Sequence, residues 1–272
     1  MEIETRRVIS QDGTSIAFDK AGTGAAVILV NGAMSYREFS GGRPLAAALS
    51  GEFTVYEYDR RGRGKSTDTA PYAVEREIED IEALIAEAGS SAYLFGTSSG
   101  AVLALKAAAQ LGPAKVPKVA LYEPPFTSGK DEAREDFARY ASRIAGLIEA
   151  DQRSDAVAFF LAGMLPPEMI EGMKQSPEWP IMEAVAHTLA YDNAVMGDGT
   201  VPVPAARAVT MPALVLDGGN REGEEFFHES AQALVQALPN AHYRALEGQP
   251  HGPVDPTTLA PVLAEFFAGS DG

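Results

Sequence analysis

The chain has no cysteine among its 272 residues, which excludes disulfides, thiolate metal sites and a cysteine nucleophile together. Histidine is scarce as well, with four copies at positions 187, 228, 242 and 251. Nothing in their spacing suits a metal, and no cofactor is implied. No apolar run approaches the roughly 18 to 20 residues that a membrane-crossing helix needs. The charged opening MEIETRRVIS lacks the apolar stretch of a signal peptide. Positive charge is in short supply: 22 Lys and Arg stand against 38 Asp and Glu, a formal net charge of −16. The cations gather only in RRGRGK at 60–65, so nucleic acid and anionic membranes are poor partners for this surface. The expectation is a soluble, cytoplasmic protein acting on a small molecule, with its oligomeric state left open.

What is present is a large apolar fraction, 46% of residues, enough for one large α/β domain or a core with an inserted subdomain. IETRRVIS, TSIAFDKA and AAVILVNG read as short strands, the first two joined by the hairpin turn QDG. FTVYEYD is a further strand. AVEREIEDIEALIAEAG then reads as a helix, with Val74, Ile78, Ile81, Leu84 and Ile85 at helical spacing and Gly89 closing it. SAYLFG, GAVLALKAAAQLG and KVALYEP continue as strand, helix, strand, the alternation of a parallel sheet with crossover helices. From about Pro125 to Ala208 the pattern is helical only. The alternation resumes with MPALVLDGG, FFHESAQALVQALP, AHYRAL and LAPVLAEFFAG. The expected organisation is an α/β core, residues 1–124 and 209–272, interrupted after its sixth strand by a helical cap at 125–208.

The chemistry concentrates at Gly96-Thr97-Ser98-Ser99-Gly100, between a strand and a helix. Glycines two residues either side of a serine have a physical reason at such a turn. Side chains there would strike the neighbouring strand and helix, while the serine is held strained and exposed. The helix N-terminus adds backbone N–H groups facing any developing negative charge. Ser98 is therefore the candidate nucleophile; the bland alternative is a helix N-cap. A serine needs a base near neutral pH. His187 falls in the helical insert, His228 on a helix where it reads as a surface residue, and His242 inside a short strand. His251, in the Gly/Pro-rich loop EGQPHGPVDP after the last strand, is the candidate base.

This order of parts resembles the α/β-hydrolase superfamily. The resemblance rests on VILVNGAMSYREF after the third strand, YEYDRRGRGKS after the next, the G-x-S-x-G turn, the helical insert and the late histidine. The run DRRGRGKS is read as structural, with Ser66 a helix-capping candidate and no catalytic role for Asp59 or Arg60. The family usually places the triad acid three residues after the glycine ending LVLxG, but here that residue is Arg221. Its neighbour Glu222 could serve only through a shifted loop. A second family solution puts the acid after the preceding core strand, where this chain carries Glu123 in KVALYEPPF. Glu123 is thus the preferred acid and Glu222 the alternative. A glutamate ending an apolar strand must find a partner.

The resemblance also implies an oxyanion hole from the backbone N–H groups of Ala33 and Ser99. Asn31 stands where the family usually has histidine, either tying down the loop or meeting substrate. The Ser98-Ser99 doublet with a post-strand glutamate is similar, more narrowly, to zearalenone-type lactonases. In the cap, Trp179, Met182, His187, Tyr191 and Met196 are candidates for a substrate-facing wall, and Met34 joins Asn31 as a candidate on the core side. The implied activity is hydrolysis of a carboxylic ester or lactone through an acyl-enzyme. Lyase, cyclase or perhydrolase chemistry on the same fold is the first rival, and a non-catalytic ligand-binding relative the second.

Overall fold

The computed structural model describes residues 4–39, 41–219, 225–252 and 254–269. Glu222, the alternative acid, lies outside the described residues. The strands β1 (Glu4–Ile9) and β2 (Ser15–Ala21) form an antiparallel hairpin. Its turn closes with Ser10 N–H donating to the Thr14 carbonyl at 2.8 Å, and Gly13 adopts a φ of +86° that an L side chain resists. Six more strands follow: β3 (Ala25–Val30), β4 (Phe53–Tyr58), β5 (Tyr93–Thr97), β6 (Val119–Tyr122), β7 (Ala213–Asp217) and β8 (Ala241–Ala245). They build one eight-stranded sheet in the order β1-β2-β4-β3-β5-β6-β7-β8. β2 runs antiparallel to both its neighbours, β1 and β4; β3 through β8 are mutually parallel.

Side chains alternate along each strand, so one strand feeds two cores. Ile28, Val30, Leu94, Leu121 and Val215 face α2 (Val74–Ala88), α3 (Ser99–Leu111) and α10 (Glu225–Ala237). Val27, Leu29, Phe95, Ala120 and Leu216 face α1 (Arg43–Leu49) and α11 (Pro256–Ala268). α2 runs as its apolar spacing predicts, and Gly89 ends it at φ +109°. α1 is absent from the pattern reading. Seven residues make about two turns, too few for a 3.6-residue period to stand out.

Between β6 and β7 the chain is helical: α4 (Asp131–Glu149), α5 (Arg153–Leu161), α6 (Pro167–Met173), α7 (Trp179–Val185), α8 (Leu189–Met196) and α9 (Val203–Ala208). Among the described residues no helix is long and apolar enough to cross a membrane. The helical segment has an apolar centre of its own, in which Ile144, Leu147, Val157, Trp179 and Met182 pack together and against Met34.

The basic run at 60–65 turns inward. Arg60 bonds both Glu77 oxygens at 2.7 Å and Asp192 Oδ1 at 2.6 Å. Arg63 reaches Asp192 Oδ2 at 2.7 Å, and Arg61 pairs with Asp80 and Asp12. Arg60, Arg61 and Arg63 are each at most 1% exposed. Ser66 caps no helix. Its hydroxyl donates to the Asp59 carbonyl at 2.6 Å and accepts from Ala17 N–H at 2.9 Å, pinning the loop to β2 well before α2 begins. A side chain that can bond locally to backbone need not sit at a helix end.

Burial drives the Asp192 carboxyl up, but Arg63, Arg60 and the Ser99 hydroxyl outweigh it and hold it below the ordinary carboxylate range. Its contribution is therefore present above the unfolded value near 4 and lost as pH falls through the lower folded value. Asp192→Ala leaves the buried Arg63 without a carboxylate and Arg60 with Glu77 alone. It should destabilise the fold by about 3–5 kcal/mol, read by thermal or urea denaturation at pH 7.

Candidate active site

β5 delivers the chain to α3 through a turn with no room for side chains at its flanks. A Cβ on Gly96 would lie 2.7 Å from the Ala101 Cα. One on Gly100 would lie 2.6 Å from the Asn31 carbonyl oxygen and closer still to that of Val30. Between them Ser98 takes φ 53°, ψ −129°, and its N–H donates to the Tyr122 carbonyl on β6 at 2.9 Å. Ser98 is half-buried and Ser99 is buried. Ser98 therefore does not play the N-cap part: its side chain makes no capping bond to α3.

The loop after β3 passes over this serine. A Cβ on Gly32 would lie 3.1 Å from Ser98 Cβ and 3.7 Å from its Oγ. Arg63 fixes the loop from behind, donating to the Gly32 carbonyl at 2.6 Å, while Arg60 donates to that of Asn31 at 3.4 Å. With its carbonyls held, the segment leading to the Ala33 N–H is fixed beside Ser98. Met34 follows at φ 60°, buried against the helical segment.

Glu123 stands one residue beyond β6, 1% exposed, with φ 45°. Both carboxylate oxygens are engaged. Oε1 accepts from Gly218 N–H and Oε2 meets His251 Nδ1, each at 2.8 Å. A carboxylate on Nδ1 selects the tautomer with its proton there and leaves Nε2 as the basic nitrogen. The Phe227 ring stacks on the imidazole with centroids 3.7 Å apart and planes 11° apart. The Tyr122 hydroxyl donates to the Pro250 carbonyl at 2.8 Å, anchoring the loop that carries the histidine. Of the five non-glycine residues with positive φ among the described residues, three are Met34, Ser98 and Glu123. Backbone in that region is unfavourable and persists only where its surroundings over-determine it.

The second serine has a different occupation. Ser99 Oγ donates to Asp192 Oδ1 at 2.8 Å, so the doublet joins α3 to α8. Its hydroxyl is committed there, and only its backbone N–H can face the site. Trp179 lies within the helical segment, Nε1 donating to Ser154 Oγ at 2.8 Å and Glu183 Oε1 at 2.9 Å. Tyr191 stacks on Tyr72 at 3.9 Å and donates to Asp68 Oδ2 at 2.7 Å. His187 lies 3.8 Å from the same carboxylate, and its Nδ1 is buried without a partner. Burial lowers its proton affinity, against the pull of Asp68. Met182 and Met196 pack into apolar cores.

His228 is more than a surface residue. Its Nδ1 lies 3.0 Å from Oδ2 of Asp217, which is fully buried at the end of β7 and also accepts from the Tyr243 hydroxyl at 3.1 Å. Burial and Asp217 push that hydroxyl up to about 12. The pair does leave a signal in the sequence: LVLDGG, like VALYEPP, places an acid at the close of an apolar strand. Among the described residues no group of three or more His, Asp or Glu side chains could hold a metal.

A family model described as the alpha/beta hydrolase family matches residues 27–262. An alpha/beta hydrolase from Sphaerobacter thermophilus DSM 20745 is 46% identical and superposes with a TM-score of 0.83, over 96% of this chain and 100% of that one. A thermophilic esterase from Thermogutta terrifontis shares the fold at 23% identity, with a TM-score of 0.72 over 97% and 98% of the two chains. The uncharacterized hydrolase YraK of Bacillus subtilis (strain 168) is 26% identical over 83% of this chain and 82% of its own length. The sheet order, the serine turn and the matched span together identify a hydrolase that belongs to the alpha/beta hydrolase family.

Proposed function

We propose that the chain hydrolyses a carboxylic ester or lactone through Ser98, His251 and Glu123. The observation that carries this reading is the Glu123–His251 contact at 2.8 Å, formed at the ends of the strands beside a strained, half-buried serine. Ser98 Oγ attacks the acyl carbon while His251 Nε2 takes its proton. The oxyanion receives hydrogen bonds from the Ala33 and Ser99 backbone N–H groups. Such donors supply on the order of 3 kcal/mol each because they are already oriented when charge develops. His251 then passes the proton to the leaving alcohol oxygen, and the acyl group stays on Ser98. Water, giving a proton to the same nitrogen, attacks the acyl carbon and releases the acid and the free serine. In a lactone the two products remain one molecule.

The reaction needs no metal or organic cofactor. Met34, Trp179, His187 and Tyr191 are proposed to bound the acyl or alcohol side of the substrate from the oxyanion loop and the helical cap, while the Asn31 side chain, turned toward Glu57, ties down the loop. The lactone half of the reading draws on the serine doublet and the post-strand glutamate. The bond from Ser99 to Asp192 gives the doublet a structural use besides any substrate preference.

Intact-mass labelling with a fluorophosphonate tests the nucleophile. One adduct per wild-type chain, absent in a folded Ser98→Ala variant, is expected; an equally labelled variant would move the nucleophile elsewhere. The acid is tested by two substitutions. Glu123→Gln should lower kcat on p-nitrophenyl acetate by roughly 10⁴, as for a triad left with the wrong tautomer, while Glu222→Gln stays near wild type. The reverse order of rates would make Glu222 the orienting acid.

A further inference from the structure

On the α1 side of the sheet a second buried carboxylate stands behind the oxyanion loop. Glu57 on β4 is the register partner of Asp19 on β2 and of Leu29 on β3. Asn31, two residues past Leu29, continues the same face. The three side chains meet over Gly42: a Cβ there would lie 3.0 Å from a Leu29 methyl, 3.5 Å from Glu57 Oε1 and 3.7 Å from Asn31 Oδ1. Asp19 is neutralised, pairing with Arg37 and, at 3.2 Å, with Arg43. Among the described residues no cation pairs with Glu57, which is 2% exposed. Its Oε1 and the Asn31 Nδ2 are fully buried and neither makes a well-aligned hydrogen bond, although each lies within reach of the other. Buried polar atoms so poorly satisfied are rare in folded proteins and call for an explanation.

We propose that Glu57 is a positioning residue acting through Asn31 on the oxyanion loop, and that its ionised form alone holds the Ala33 N–H in the reactive place. The inference rests on the acyl-transfer reading. Arg60 and Arg63 fix the Asn31 and Gly32 carbonyls on one side of the loop, leaving the Asn31 side chain as the handle on the other. Ionised, Glu57 accepts from Asn31 Nδ2 and from the Gly42 N–H. Protonated on Oε1, the oxygen beside Asn31, it becomes a donor there, and the amide turns to present Oδ1 instead, moving the backbone it carries. The charged groups facing Glu57 are Asp19 from β2 and Arg43 from α1, with Arg37 in the preceding loop bound to Asp19. Burial raises the Glu57 carboxyl to about 7; Asp19 adds to the rise, and the Gly42 N–H, Arg43 and Asn31 oppose it. The change of state thus falls in the neutral range.

The test is the pH dependence of kcat/KM on p-nitrophenyl acetate between pH 5 and 9, and of fluorophosphonate labelling rates over the same range. In wild type protonation of Glu57 lowers the rate by roughly 10²-fold, as for a misplaced reacting group, and adds a step to the profile in the neutral range. Glu57→Gln and Asn31→Ala should each lack that step, with plateau rates already lower by roughly 10²-fold. Because one residue acts through the other, the double variant should be no slower than the slower single one. A Glu57→Gln profile superimposed on wild type, or singles whose losses multiply in the double, overturns the inference. If Glu57→Gln does not fold by circular dichroism, Asn31→Ala decides, and a persisting step in the neutral range overturns it. Labelling without ester turnover removes the ester reading but leaves this test intact in the labelling rates. Absence of both removes the function and the inference together.

Discussion

A single buried carboxylate, Asp192, ties the parts of the molecule to one another. It arrives on α8 and receives Arg60 and Arg63 from the loop after β4 and the Ser99 hydroxyl from the start of α3. Through Arg63 the same cluster grips the Gly32 carbonyl. The helical segment, the serine turn and the loop after β3 therefore share one set of charge-assisted bonds. Burying these charges is costly, and the arrangement is tolerable because almost every donor has a carboxylate or carbonyl to meet. Removing the acid would leave the cations without that compensation, so the cluster specifies a geometry as much as it contributes stability.

The strained positions follow from this anchoring. Ser98, Glu123 and Met34 all hold positive φ at the carboxyl ends of parallel strands, where an open α/β sheet leaves its crevice. Each is locked by neighbours. Ser98 is held by its bond to β6 and by the glycines that let α3 and β3 approach. Glu123 is held by its own N–H on the Leu216 carbonyl at 2.9 Å and by both carboxylate oxygens. Rigid sheet ends convert local strain into fixed side-chain direction, which any chemistry that depends on positioned groups demands.

Much of this was legible in the sequence, and some could not be. The period of two in AAVILV and the helical spacing through Ile78, Ile81, Leu84 and Ile85 placed β3 and α2, because burial on one face writes itself into composition. The G-x-S-x-G turn was readable because close backbone approach admits only glycine at Gly96 and Gly100. α1 was invisible, its seven residues being too few to show a period. The role of RRGRGK as an internal ion-pair core was half readable: a structural run was expected, but its acids lie as many as 132 residues away.

The sequence by itself determined the alternation of strand and helix, the helical interruption between β6 and β7, and the glycine-flanked serine, since each is a local or periodic demand on residue type. Only the tertiary structure decided which acid meets His251, that Asp217 holds His228, and that Glu57 and Asn31 stand together behind the loop that follows β3. Those pairings span 128, 11 and 26 residues of chain, and they are set by strand order and register. Periodicity along one segment carries no information about either.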